Sequence, residues 1–182
     1  MSTLPVRRKR VLYVTHVVCS VGWIGLEASL LALGATGLTT HNPDVLRAVY
    51  IALGRLGLLL IAPFSLGALI TGVALSLRTR WGLVKHWWVV VKLVITVVMT
   101  IASNIALNFR LQDAARRVSK LPLASLNGAQ VGGVRSLVIA SGTAAFILLL
   151  VATVLSVYKP WGPVGRRRPA PNEAALLVNS GR

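Results

Sequence analysis

Residues 11–33 read VLYVTHVVCSVGWIGLEASLLAL, an apolar run long enough to cross a bilayer at about 20 residues per helical span. Inside it, His16, Ser20, Trp23 and Glu27 stand at offsets of zero, four, seven and eleven, which at about 100° per residue confines them to roughly 60° of helix surface. An imidazole and a carboxylate inside an apolar span are costly unless they face protein, water or a ligand, so this stripe is expected to look into a bundle and the opposite face to meet lipid. The other apolar runs are then the partners. The fold class expected is all-α, a polytopic membrane protein built as a four-transmembrane-helix bundle.

Composition agrees with that reading. Of 182 residues, 55% are hydrophobic and 13% charged, against roughly 45–50% and 25% in a soluble domain. The length holds four spans with short connections and leaves no room for a large soluble domain. A formal charge of +16 would suggest nucleic acid in a soluble chain. Here the basic residues lie between and beyond apolar runs, where anionic lipid headgroups at a cytoplasmic face account for them, and no nucleic-acid partner is expected. The single cysteine, Cys19, excludes an internal disulfide and any cysteine-rich metal site. The run after Arg7-Arg8-Lys9-Arg10 is longer than a signal-peptide core and lacks a clear cleavage site, so it reads as a retained anchor.

Taken in order, residues 1–10 form a basic cytoplasmic arm, residues 11–158 the transmembrane domain and residues 159–182 a disordered cytoplasmic tail. The spans are expected at about 11–33, 48–77, 84–107 and 136–158. Gly34 and Gly37 are read as stopping the first. Asn42-Pro43-Asp44 starts the second helix, as N-cap, proline in the first turn and an acid against the dipole. From there to Leu77 the pattern is about 50 Å of helix, longer than the roughly 30 Å hydrocarbon layer, so a bend is expected at Pro63. Asn108–Lys120 is amphipathic and should leave the membrane as a helix ending at Leu121-Pro122. Residues 121–134 read as a loop. On alternate sides the Lys and Arg number twelve (7–10, 78, 80, 85, 159, 166–168, 182) and six (47, 110, 116, 117, 120, 135), which places both termini in the cytoplasm of a bacterial-type plasma membrane.

The intramembrane polar residues carry whatever chemistry there is. Lys92, Thr96, Met99 and Ser103 repeat the same four-residue interval on span three, so a polar cleft or cofactor pocket between spans one and three is expected. Snorkelling of Lys92 and back-bonding of the hydroxyls are the plainer account of that stripe. Glu27 and Arg55 lie at similar depth and could form an intramembrane ion pair; an ion- or proton-handling carboxylate is the alternative. His16 could ligate haem iron, join Cys19 and Met99 in a soft copper(I) site, transfer protons, or simply hydrogen-bond inside the bundle. His86, the other histidine on the inner half, is a further candidate cofactor-binding residue, although it sits off the Lys92 stripe; His41 belongs to an outer loop. The small residues at 140–145 would let a helix approach closely, in this chain, in a homo-oligomer or in another membrane protein.

His16 followed by Trp23-Ile24-Gly25, and Trp87-Trp88 leading into Val91-Lys92-Leu93, resemble the pattern of the bacterial copper-resistance-D-like membrane proteins, their four-helix relatives, and more distantly the HemJ-type protoporphyrinogen oxidases. The resemblance implies a four-helix membrane fold and a haem- or metal-associated protein with a redox or metal-handling role. His16 then corresponds to the first-helix histidine that ligates haem in those oxidases, and Lys92 to a lysine of their third-helix motif. Haem b is the cofactor implied, with copper the second candidate. The competing expectations are a non-catalytic bundle that assembles with other membrane proteins and a small transporter.

Overall fold

The computed structural model describes residues 6–78, 82–127, 131–162 and 164. The first helix, α1, runs Val6–Thr39. Next come α2 (Pro43–Leu56), a π-helical turn (Gly57–Ile61) and α3 (Ala62–Arg78), which together make one 36-residue helix. Then α4 (Trp87–Ile101), a second π turn (Ala102–Leu107) and α5 (Asn108–Lys120) make another, and α6 (Gly132–Tyr158) follows. Each of these four helical units is long and apolar enough to cross a membrane, and no strand occurs among the described residues. The protein is an all-α, multi-pass membrane bundle. Its outer faces are apolar: Val14, Val18, Val21, Leu59, Ile70, Val94, Val98 and Ile105 are all exposed, as lipid contact requires.

The stripe on α1 faces inward. Trp23 and Glu27 are fully buried and His16 and Ser20 half-buried, while Val17, Val18 and Val21 between them point out. α1 packs against α3, α6 and α2, and α4 packs against α3 and α6, so the helices enclose a common centre with the third span diagonally across from the first. Spans one and three therefore do not form a two-helix cleft; their polar stripes look at each other across a centre that α3 and α6 also line.

Local chemistry explains the ends and the irregularities. The Asn42 side chain caps α2 by accepting from the Asp44 and Val45 backbone N–H groups (2.8 and 3.3 Å), as its sequence signature requires. Pro63 lacks an N–H and its ring would clash with the carbonyl four residues back; the π turn that ends at Ile61 changes the register just before it. The long second helix answers its proline with this turn. Gly34 and Gly37 do not end α1. A side chain at Gly34 would meet Val138 of α6 at 2.8 Å, and one at Gly37 would meet Val49 at 3.1 Å, so these glycines are where neighbouring helices touch. Gly132 and Gly133, read as loop, begin α6. Two arginines close helix ends: Arg47 donates to the Val118 carbonyl (3.0 Å) and to that of Leu121 at the end of α5, and Arg135 donates to the Gly37 (2.7 Å) and Leu38 carbonyls near the end of α1. Of the tail expected to be disordered, residues 159–162 and 164 are described; the rest of it and residues 1–5 of the basic arm lie outside the described residues.

The start of α1, the connection before α4 and the end of α6 share one end of the bundle. The Val164 N–H donates to the Lys85 carbonyl (2.8 Å) there, and Tyr13, Trp87, Tyr158 and Trp161 are exposed around it, the aromatic composition of a headgroup layer.

Candidate functional site

On the half of the bundle nearest those aromatic residues, α1, α3, α4 and α6 leave a cavity of about 330 Å3. His16 reaches it from α1, Gly72 and Ser76 from α3, Trp88, Lys92 and Thr96 from α4, and Ser156 and Lys159 from the end of α6. Gly72 is needed beside the imidazole, since a Cβ there would stand 3.0 Å from His16 Cε1.

The hydrogen bonds around the cavity decide which atoms remain for a ligand. The Thr71 hydroxyl donates to the Gly67 carbonyl (2.5 Å) and so accepts from His16 Nδ1 (2.9 Å). That arrangement favours the imidazole proton on Nδ1, and the Ala68 backbone is a further hydrogen-bond partner of the ring. Ser76, Thr96 and Ser156 each donate to a carbonyl of their own helix, so their oxygens offer only lone pairs. Lys92 donates to Ser156 and stands 6.0 Å from the centre of the Trp88 ring, a cation–π distance. With Lys92 and Lys159 in the lining and no carboxylate, the cavity is electropositive in an otherwise apolar setting.

Several expected residues are elsewhere. His86 lies at the N-terminus of α4 with its ring 6.5 Å from that of Trp88, outside the lining. Cys19 sits against Gly67 and packs, with Met99, on the cluster of Trp23, Ala68, Ala145 and Leu149; neither sulfur borders the cavity. The soft His16–Cys19–Met99 set is not assembled at the cavity, because Cys19 and Met99 serve as core packing. No group of three or more His, Cys, Asp or Glu is close enough to hold a metal among the described residues.

The Glu27–Arg55 pair does not form either. Glu27 is fully buried, accepts from Trp23 Nε1 (3.2 Å) through Oε1, and its Oε2 has no partner, while Arg55 is exposed on the outer side of α2. Similar depth on two helices was insufficient, since the arginine lies on a different face. Thr71 and Ser156, which hold His16 and Lys92, escaped the sequence reading. For Ser156 a signal was present in part, since Gly142, Ala145, Ala152 and Ser156 lie on one face of α6 as small residues ending in a hydroxyl; for Thr71 there was none.

Compared with family models, with curated proteins and with solved structures, the chain matches none.

Proposed function

We propose that this is a multi-pass protein of a bacterial-type plasma membrane, with both termini cytoplasmic, that binds an amphipathic ligand with an anionic end in the His16–Lys92 cavity, and that haem b is that ligand. The observation that carries this is the lining itself: two lysines, no carboxylate, an indole face and an imidazole held in place through Nδ1 by Thr71. Lysines alone would suit any anionic amphiphile. The oriented imidazole favours an iron porphyrin among them, because fixing one ring nitrogen on a hydroxyl is how a protein prepares the other for a metal.

The residues fit a haem held by one protein ligand: His16 would hold the iron and Lys92 or Lys159 would meet a propionate. Iron would supply redox chemistry; the protein would supply the ligand, the charge and the exclusion of water. At about 330 Å3 the cavity is at the small end of cofactor sites, so it would enclose a porphyrin only in part. Copper has less support, since no sulfur borders the cavity. The test is to express wild type, His16→Ala and Lys92→Met with haem supplied and to compare Soret absorbance per protein. We expect haem in the wild type, loss or altered ligation in His16→Ala and weaker retention in Lys92→Met. Equal haem in wild type and His16→Ala would remove the histidine as ligand, and a colourless wild type would remove haem.

A second reading, a bundle that assembles with a copy of itself or with other membrane proteins, has its own support. On the lipid side of α1, Gly25, Ser29, Ala32 and Thr36 are exposed at helical spacing, and a Cβ at Gly25 would meet nothing within 4 Å. Gly25→Leu should then shift the oligomeric state in mild detergent and leave the fold intact.

A further inference from the structure

The buried core has two apolar clusters, one containing Leu30, Ile61, Leu107 and Val138, the other Trp23, Ala68, Met99 and Ala145. On each span one residue marks the boundary between them. It is Glu27, one turn beyond Trp23 and next to Leu26 of the first cluster, Ser65 between Ile61 and Ala68, Ser103 between Met99 and Leu107, and Gly142 between Val138 and Ala145. Three of the four are polar, the fourth has no side chain, and Glu27, Ser65 and Ser103 are 0%, 0% and 2% exposed. A polar layer crosses the bundle where an apolar one would pack better.

That layer is incompletely satisfied. Asn104 ties two spans together by donating to Ser65 Oγ (2.9 Å) and to the Thr100 carbonyl (2.8 Å). Yet Glu27 Oε2 and Thr100 Oγ1, both deeply buried, have no hydrogen-bond partner. Ser103 and Asn104 lie in the π turn Ala102–Leu107, a geometry that takes carbonyls out of the regular ladder and recurs at functional sites. Among the described residues no cation compensates Glu27: the single salt bridge there joins Arg117 to Asp113, and Lys92 lies about 16 Å farther along its helix than Ser103. Leaving a carboxylate unpaired at the centre of a membrane bundle is among the most costly arrangements a protein can hold.

We propose that this layer binds one small monovalent cation, with Glu27 as its anionic ligand and the hydroxyls of Thr100, Ser65 and Ser103 as neutral ones, Na+ being the reference ion. Hard cations take oxygen ligands, and intramembrane alkali-cation sites draw on irregular helix segments of this kind. One carboxylate with neutral oxygens balances a single positive charge, whereas a divalent ion would leave an excess buried. The site is separate from the His16 cavity, so either assignment can fail without the other.

The test uses the full chain in detergent at constant ionic strength, with Na+ exchanged for choline. The wild type should gain thermal stability as Na+ rises, Glu27→Gln should lose that dependence, and Ser103→Ala should need about tenfold more Na+ for the same gain. Equal responses to Na+ and choline, or an undiminished Na+ response in Glu27→Gln, would overturn the proposal. Should Glu27→Gln fail to fold, the wild type still decides: dicyclohexylcarbodiimide labelling of Glu27, read by peptide mass spectrometry, should be slowed by Na+ at fixed pH. Labelling indifferent to Li+, Na+ and K+ would assign the carboxyl to a proton alone and remove the cation.

Discussion

Eleven residues apart on one face of α1, His16 and Glu27 meet opposite circumstances: the imidazole is held by Thr71 beside two lysines, and the carboxylate has a single indole donor and no cation. Thr71→Val removes the acceptor that orients His16, so we expect a loss of about 1–2 kcal/mol in unfolding free energy. We also expect roughly 10–100-fold weaker haem retention if the imidazole is a ligand, since an unheld ring must be ordered by the metal itself. Denaturation in detergent and a haem titration read the two effects separately. Arg55 offers the contrasting case. Being exposed and unpaired with Glu27, its replacement in Arg55→Gln should change stability by no more than roughly 0.5 kcal/mol and should add to Glu27→Gln without coupling. A coupling above roughly 1 kcal/mol in that cycle would mean the two residues meet. What the sequence made legible at this scale was direction: helical spacing told that His16, Glu27, Lys92 and Ser103 look inward. Partners were not legible, because a hydroxyl such as Thr71 in an apolar helix carries no mark of which neighbour it will hold.

Glycines and a proline show where element-level reading succeeds and where it slips. Asn42-Pro43-Asp44 marked a helix start correctly because capping is local, completed by atoms two and three residues away. Gly34 and Gly37 looked like stop signals because a glycine that ends a helix and one that admits a neighbouring helix are the same letter; only the position of Val138 and Val49 separates them. The expected consequence is a pair of opposite results. Gly34→Val should cost about 1–3 kcal/mol by driving α1 from α6, and Val138→Ala in the same chain should restore part of it. Gly25→Ala, on the open outer face, should be neutral or stabilising by up to about 1 kcal/mol. Thermal unfolding in detergent measures both, and a tolerated Gly34→Val would show that the α1–α6 contact is loose. The bend expected at Pro63 is met by a π turn at Gly57–Ile61, just before the proline, and a π turn has no local signature in the sequence.

Across the whole molecule, orientation rests on charge. Of the Lys and Arg counted on one side, those among the described residues, Arg7, Arg8, Lys9, Arg10, Arg78, Lys85 and Lys159, sit at the end shared by the start of α1, the connection before α4 and the end of α6. Of the six on the other side, Arg47 and Arg135 are engaged with the ends of α5 and α1, and Arg117 pairs with Asp113 (2.8 Å). Those three have local partners at that end, and the expectation of cytoplasmic termini rests on the twelve-to-six count alone. Single-cysteine variants at Ser2, Thr79, Asn127 and Ser180, in a Cys19→Ala background, test this with a membrane-impermeant thiol reagent on intact cells. We expect Asn127 to be labelled from outside and the other three only after permeabilisation. External labelling of Thr79 with Asn127 protected would invert the protein and place the His16 cavity on the outer half. Haem would then have to reach it from the far side of the membrane, while the Glu27 layer, set between the two apolar clusters, would keep its depth in either orientation.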